Sequence, residues 1–170
     1  MNKPNYTILI AEDNNINRKL LKKLLEHRFD CIFAHDGQEA IDAYIKAHAE
    51  NLEKPVRVIL MDMEMPNVNG LQATQKIREY EAIHHLQTLI IGVSGNARPA
   101  YKQAAIEGGM DYYITKPYDK LELLNHIYLA NSSGSPNLSS EHMQRLGFFS
   151  PATAHKKPNE KLAQRDTPSI

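Results

Sequence analysis

Tryptophan is missing from the 170 residues, cysteine occurs once, and neither sign of charge is in excess, with 20 Lys and Arg against 20 Asp and Glu. The single Cys31 rules out an internal disulfide and, without partner thiols, a cysteine-based zinc site. Balanced charge gives no broad electrostatic footprint for nucleic acid or for an anionic membrane. No apolar stretch approaches the roughly 18 residues that a spanning helix needs, and the polar opening from Met1 to Tyr6 holds no signal-peptide core. A cytoplasmic protein, with the nucleus as the other compartment, is the expectation. A GxGxxG turn after the first apolar run and a Walker A loop are also missing, and Glu12 and Asp13, which stand there instead, repel a pyrophosphate.

What is present suits one ordinary domain, since 42% hydrophobic residues can build a buried core. Five short apolar runs punctuate the first 115 residues: Thr7 to Ala11, Cys31 to Ala34, Val56 to Met61, Leu89 to Val93 and Tyr112 to Thr115. Unbroken apolar character, rather than alternation, is what a strand covered on both faces shows, so the runs predict a central parallel sheet with helices on either side. Helical spacing fills the gaps. Ile16, Leu20, Leu21, Leu24 and Leu25 give one predicted apolar stripe, and Ala40, Ile41, Tyr44, Ile45 and Ala47 a second. Further helices are predicted around Leu71, Ala73, Ile77 and Tyr80, over Pro99 to Glu107, and around Leu121, Leu124, Ile127, Tyr128 and Leu129. Asp36-Gly37, Asn67 to Gly70 and Pro99 supply start signals, and Gly108-Gly109 a stop.

Five alternations of strand and helix predict a doubly wound α/β domain over 1–130, whose functional loops lie at the carboxyl ends of the strands. From residue 131 onwards the composition turns to Ser, Gly and Pro, which predicts a disordered or weakly structured tail over 131–170. Leu138, Met143, Leu146, Phe148 and Phe149 are the exception there, with Ser139 or Ser140 able to cap a short docking helix. The tail's five basic residues, Arg145, Lys156, Lys157, Lys161 and Arg165, against Glu141, Glu160 and Asp166 make a solvated tail and no nucleic-acid stripe.

The polar residues at the strand ends carry the chemistry. Run one ends in Glu12-Asp13, run three in Asp62, run four in Ser94, and run five leads into Lys116-Pro117. Taken singly, Glu12-Asp13 fits an acid pair answering a helix macrodipole, Lys116 a solvated lysine, Ser94 a turn residue and Asp62 a strand-ending acid. In a doubly wound sheet the same residues converge. Three crowded carboxylates repel unless a cation sits among them, and hard oxygen ligands with room for water suit Mg²⁺. A carboxylate beside Mg²⁺, with an ammonium and a hydroxyl opposite, can accept a phosphoryl group, which makes Asp62 the expected nucleophile.

Four stretches together resemble the receiver domains of two-component response regulators and hybrid histidine kinases, over about Asn5 to Leu129. They are Ile8-Leu9-Ile10-Ala11-Glu12-Asp13-Asn14, Ile59-Leu60-Met61-Asp62-Met63-Glu64-Met65-Pro66 with Gly70, Val93-Ser94-Gly95-Asn96-Ala97, and Gly109-Met110-Asp111-Tyr112-Tyr113-Ile114-Thr115-Lys116-Pro117. Asp13-Asn14-Asn15-Ile16-Asn17-Arg18 looks most like receivers of hybrid kinases. The resemblance implies a flavodoxin-like (βα)5 fold with strand order 2-1-3-4-5. It implies Asp62 as phosphoacceptor, and Mg²⁺ held by Asp13, Asp62 and the Glu64 backbone carbonyl with Glu12 helping through water. It also implies Lys116 on the phosphoryl oxygens, Ser94 and Tyr113 as switch residues, and a cis bond before Pro117. Glu64 and Asn96 fall where the family tunes dephosphorylation. The implied partner is a histidine kinase or a histidine phosphotransfer protein, with the receiver itself a monomer or weak dimer.

No transmitter, ATP-binding, histidine phosphotransfer or helix-turn-helix module is recognisable in the chain, so the expectation is either a stand-alone receiver or one whose output lies on another protein. Two other readings stay open: a receiver-like module that is never phosphorylated, and a metal-dependent phosphohydrolase. The second is disfavoured because Met63-Glu64, not a second aspartate, follows Asp62, and the first 130 residues leave little material for a cap. His84-His85 reads as a pair of loop histidines, lacking a third ligand nearby in sequence. Ile16 and Leu20 are expected in the core, with the outward side of their helix a docking face.

Overall fold

The computed structural model describes residues 3–50 and 53–132, with the side chains of 130–132 left aside. Its elements alternate as β1 (Thr7–Ala11), α1 (Asn15–Leu25), β2 (Asp30–Ala34), α2 (Gly37–Ala49), β3 (Val56–Asp62), α3 (Gly70–His84), β4 (Leu89–Ser94), α4 (Pro99–Glu107), β5 (Tyr112–Thr115) and α5 (Lys120–Ser132). All five predicted strands form within a residue of the apolar runs. The sheet is parallel throughout, in the order β2-β1-β3-β4-β5, the flavodoxin-like arrangement. Apart from the two residues of α5 that reach Ser132, the tail predicted over 131–170, its short helix included, lies outside the described residues.

β1, β3 and β4 are buried along almost their whole length, Arg57 being the exposed exception, because helices cover both faces. On one face Leu9, Ala11, Ile59 and Met61 pack with Ala40, Ile41 and Tyr44 of α2, Ala73 and Ile77 of α3 and Ala105 of α4. On the other, Ile10, Leu60 and Val93 share a crevice with Leu21 of α1 and Leu123 of α5. Sequence-local chemistry starts the helices. The Asn14 side chain accepts the Ile16 and Asn17 amides, Asp36 accepts Glu39, and Asn69 with Gln72 forms a reciprocal capping box. α4 has Pro99 in its first turn, no side-chain cap, and Ala105 as its one buried residue.

Two predicted stripes need correction. Ile16 is 70% and Leu20 61% exposed, while Leu21 and Leu25 of the same helix are buried. At about 100° per residue the five apolar residues of α1 spread over roughly half the circumference, and the sheet covers only the half centred on Leu21 and Leu25. In α5 the buried residues are Leu123, Leu124, His126 and Ile127, whereas Leu121 and Tyr128 are exposed. The paired histidines also sit differently: His84 is the last residue of α3 and stacks on Tyr80, and His85 caps that helix in a left-handed conformation.

The order of the sheet fixes where chemistry is available. The direction in which successive strands are laid down reverses between β1 and β3, and the crevice beyond the carboxyl ends of those two parallel strands is where open α/β sheets bind ligands. Ala11 pairs with Met61, so the next residues, Glu12 and Asp62, emerge side by side.

Candidate functional site

Glu12 and Asp62 are each only 3% exposed, yet both carry carboxylates. What makes that burial tolerable is Lys116, delivered from the end of β5, whose Nζ donates to Glu12 Oε2 at 2.9 Å and to Asp62 Oδ2 at 2.8 Å. The Lys116–Pro117 bond that follows is cis. Remaining lone pairs are also met: Glu12 Oε1 accepts the Asn14 amide at 3.1 Å and the Asn17 side-chain amide at 3.3 Å, and Asp62 Oδ1 accepts the Glu64 amide at 3.0 Å. A Cβ on Gly70 would collide with the Asp62 carbonyl, so glycine there lets α3 start directly against the end of β3.

One ammonium does not balance this pocket. Carboxylate oxygens of Glu12, Asp13 and Asp62 lie within 4.8 Å of one another, with Asp13 exposed at the rim. Burial, only partly offset by Lys116 and the Glu64 amide, pushes the Asp62 carboxyl up to about 6. Burial works against the Lys116 ammonium too, but hydrogen bonds from it to Asp62 and Glu12 outweigh that and leave its pKa raised. Burial and the charge of Glu12 likewise raise the Tyr118 phenol beside the pocket. A convergent set of hard oxygen donors with surplus negative charge fits a divalent cation of the Mg²⁺ class.

Ser94 ends β4 next to Asp62 but is turned elsewhere. Its buried hydroxyl donates to Glu64 Oε1 at 2.5 Å and accepts the Asn96 amide at 2.9 Å. Tyr113, half-buried, donates from its hydroxyl to the Asn96 carbonyl at 2.5 Å. Glu12, Asp13, Asp62 and Lys116 are thus brought together, with Ser94 and Glu64 on the flank and Tyr113 of β5 bonded to the adjoining loop at Asn96. Sequence reasoning gave Glu64 a role through its carbonyl and missed its carboxylate, which bridges to Ser94 and, at 3.4 Å, to the Gly95 amide. It also missed Asn17 and Arg18. The available signal was a cation placed in the first turn of α1, where the helix dipole disfavours one. Cys31 lies half-buried in β2, and burial pushes its thiol up to about 12, which leaves it inert.

Comparison with known proteins converges on one family. The model of the response regulator receiver domain matches residues 8–128. Hybrid signal transduction histidine kinase I of Dictyostelium discoideum is 43% identical over 111 residues, covering 65% of this chain and 6% of that protein. Sensor histidine kinase RcsC of Escherichia coli is 36% identical over 111 residues, covering 65% of this chain and 10% of its own length. The chain therefore spans a small fraction of the curated relatives it matches. Among solved structures, the receiver domain of the histidine kinase CKI1 from Arabidopsis thaliana, complexed with Mg²⁺ and BeF₃⁻, aligns with a TM-score of 0.65 at 28% identity, over 75% of this chain and 90% of that one. The co-crystal structure of the Saccharomyces cerevisiae histidine phosphotransfer protein Ypd1 with the receiver domain of Ssk1 aligns with a TM-score of 0.63 at 26% identity, over 74% and 87%.

Proposed function

The chain belongs to the response regulator receiver domain family, and from that premise we propose that Asp62 takes a phosphoryl group from a phosphohistidine in a phosphorelay. The observation that carries this reading is the Lys116 ammonium bridging two buried carboxylates at the ends of β1 and β3, with Asp62 as one of them. In the transfer an Asp62 carboxylate oxygen attacks phosphorus, a P–O bond forms, and the P–N bond to the donor imidazole breaks with its electron pair going to nitrogen. Lys116 sits within reach of Asp62 Oδ2 and meets negative charge developing on the transferred group. Asp13, Asp62 and the Glu64 carbonyl, with Glu12 behind them, are the residues that would hold Mg²⁺. When bound, the ion supplies charge neutralisation to the phosphoryl oxygens.

The same reading assigns the flank its role. Ser94 gives up Glu64 for a phosphoryl oxygen, and Tyr113 follows it, shifting the start of α4 between two packings. α4 suits such a shift because Ala105 is its one buried residue. The partner is a histidine kinase or a histidine phosphotransfer protein, docking on the apolar outer side of α1 at Ile16 and Leu20, which are exposed rather than buried. Receiver domains are signalling domains; this one, occupying 1–130, would catalyse only its own phosphorylation and dephosphorylation. Among the described residues no helix is long and apolar enough to cross a membrane, and a cytoplasmic site of action is part of the proposal.

Intact mass after incubation with Mg²⁺ and acetyl phosphate tests the reading. A labile gain of one phosphoryl group is expected, lost without Mg²⁺ and lost in Asp62→Asn. Failure with acetyl phosphate and also with a phosphohistidine protein donor would leave the unphosphorylated interaction module in its place.

A further inference from the structure

We infer that Arg18 is a positioning residue for the acidic loop after β1, holding its backbone so that Asp13 is set for a divalent cation before one arrives. The inference deepens the reading of this site as a Mg²⁺-dependent phosphoacceptor and rests on it. Arg18 lies in the first turn of α1, and side chains on a helix lean towards its amino end. Its guanidinium folds back over the loop, and one nitrogen, Nη1, donates to the Glu12 carbonyl at 2.7 Å and to the Asp13 carbonyl at 2.6 Å. Hydrogen bonds from a charged donor are short and roughly twice as strong as neutral ones. A cation here is disfavoured by the helix dipole, so these two bonds are what the position gains.

The two acids depend on this contact unequally. Glu12 has its own restraints, with both carboxylate oxygens engaged by Lys116, Asn14 and Asn17. Asp13 is exposed, and among the described residues its carboxylate makes no hydrogen bond. Its placement within 4.8 Å of the other two carboxylates is therefore set by the main chain, and Arg18 is the side chain that grips that main chain through the two successive carbonyls on either side of the Asp13 Cα. Removing a partner that orients a metal ligand typically costs about tenfold or more in metal affinity. The guanidinium charge acts in the opposite sense, repelling a divalent ion, so the sign of the effect distinguishes positioning from simple electrostatics.

The experiment measures Mg²⁺ affinity of the unphosphorylated protein by titration calorimetry, together with amide hydrogen exchange of the loop in the absence of metal. Arg18→Ala should weaken Mg²⁺ binding roughly tenfold and speed exchange over the Glu12 to Asn17 stretch, leaving protection of β3 and β4 unchanged. Arg18→Gln, which keeps a donor on a shorter, uncharged side chain, should recover only part of both. Affinity in Arg18→Ala equal to or tighter than the parent's would overturn the inference. If the alanine variant does not fold, Arg18→Lys decides: a loss of a few-fold supports positioning, and undiminished affinity refutes it. If the parent protein itself binds no Mg²⁺, the reading of the site fails first and takes this one with it.

Discussion

Replacing Asp62 by Asn should make the metal-free protein more stable at neutral pH, even though it removes a partner of Lys116. The Asp62 carboxyl, ordinarily near 3.8, is pushed up to about 6 by burial, net of what Lys116 and the Glu64 amide return. A raised carboxyl pKa means the folded state binds a proton more readily than the unfolded chain. Its contribution is greatest at acid pH and is lost as pH rises through about 6. Relative to full protonation, ionising this group in the folded protein costs about 3 kcal/mol. Asn removes that cost, in which the hydrogen bond to Lys116 Nζ is already counted, so a net gain of up to about 3 kcal/mol at pH 7.5 is expected. Urea unfolding in the presence of a chelator at pH 5 and 7.5 reads the difference. Between those conditions the parent should lose about 1 kcal/mol relative to Asp62→Asn, because Asp62 is mostly protonated at the lower pH and ionised at the higher. Added Mg²⁺ should narrow the gap at pH 7.5 by stabilising the parent alone. A stability difference that does not change with pH, or an Asn variant less stable than the parent at pH 7.5, would refute the reasoning.

Two further outcomes follow from contacts away from the pocket. Arg78 donates to Glu81, to Asp111 and to the Thr88 and Gly109 carbonyls, binding α3 to the turn before β5. Arg78→Met should cost about 3 kcal/mol in urea unfolding at pH 8, the lower end for a broken buried pair, because the Asp111 side chain keeps 35% exposure. The loss should shrink at pH 5 as the orphaned Asp111, whose carboxyl burial already pushes up, takes up a proton, and a loss independent of pH counts against this account. On α1, Ile16→Ser with Leu20→Ser should leave unfolding within about 0.5 kcal/mol, since both side chains already face solvent. The double variant should slow phosphoryl transfer from a phosphohistidine protein in a stopped transfer assay, and an equal slowing with acetyl phosphate would remove the docking face from the proposal.

Much of this is legible in the sequence. Asp36 and Asn69 cap helices where local sequence says they should, and Glu12, Asp62, Ser94 and Lys116 stand at strand ends because strands end where apolar runs do. The exposure of Ile16 and Leu20 was not legible: periodicity gives the directions in which side chains leave a helix, while the neighbouring sheet decides which of those directions is covered. Nor was the network in which Tyr44 meets Glu81 and Thr88 while Arg78 meets Asp111, which joins α2, α3, β4 and β5 across intervals without sequence period.

The sequence by itself determined the parallel α/β alternation and the inventory of acids, hydroxyl and ammonium, because apolar run length, turn chemistry and residue type act over a few neighbours. Tertiary structure alone decided how those groups are held. It bridged Glu12 to Asp62 through Lys116, turned Ser94 towards the Glu64 carboxylate, and folded Arg18 over the Glu12 and Asp13 carbonyls. Such contacts depend on angles, and on distances held to a few tenths of an ångström, that are fixed only when both faces of the sheet are packed.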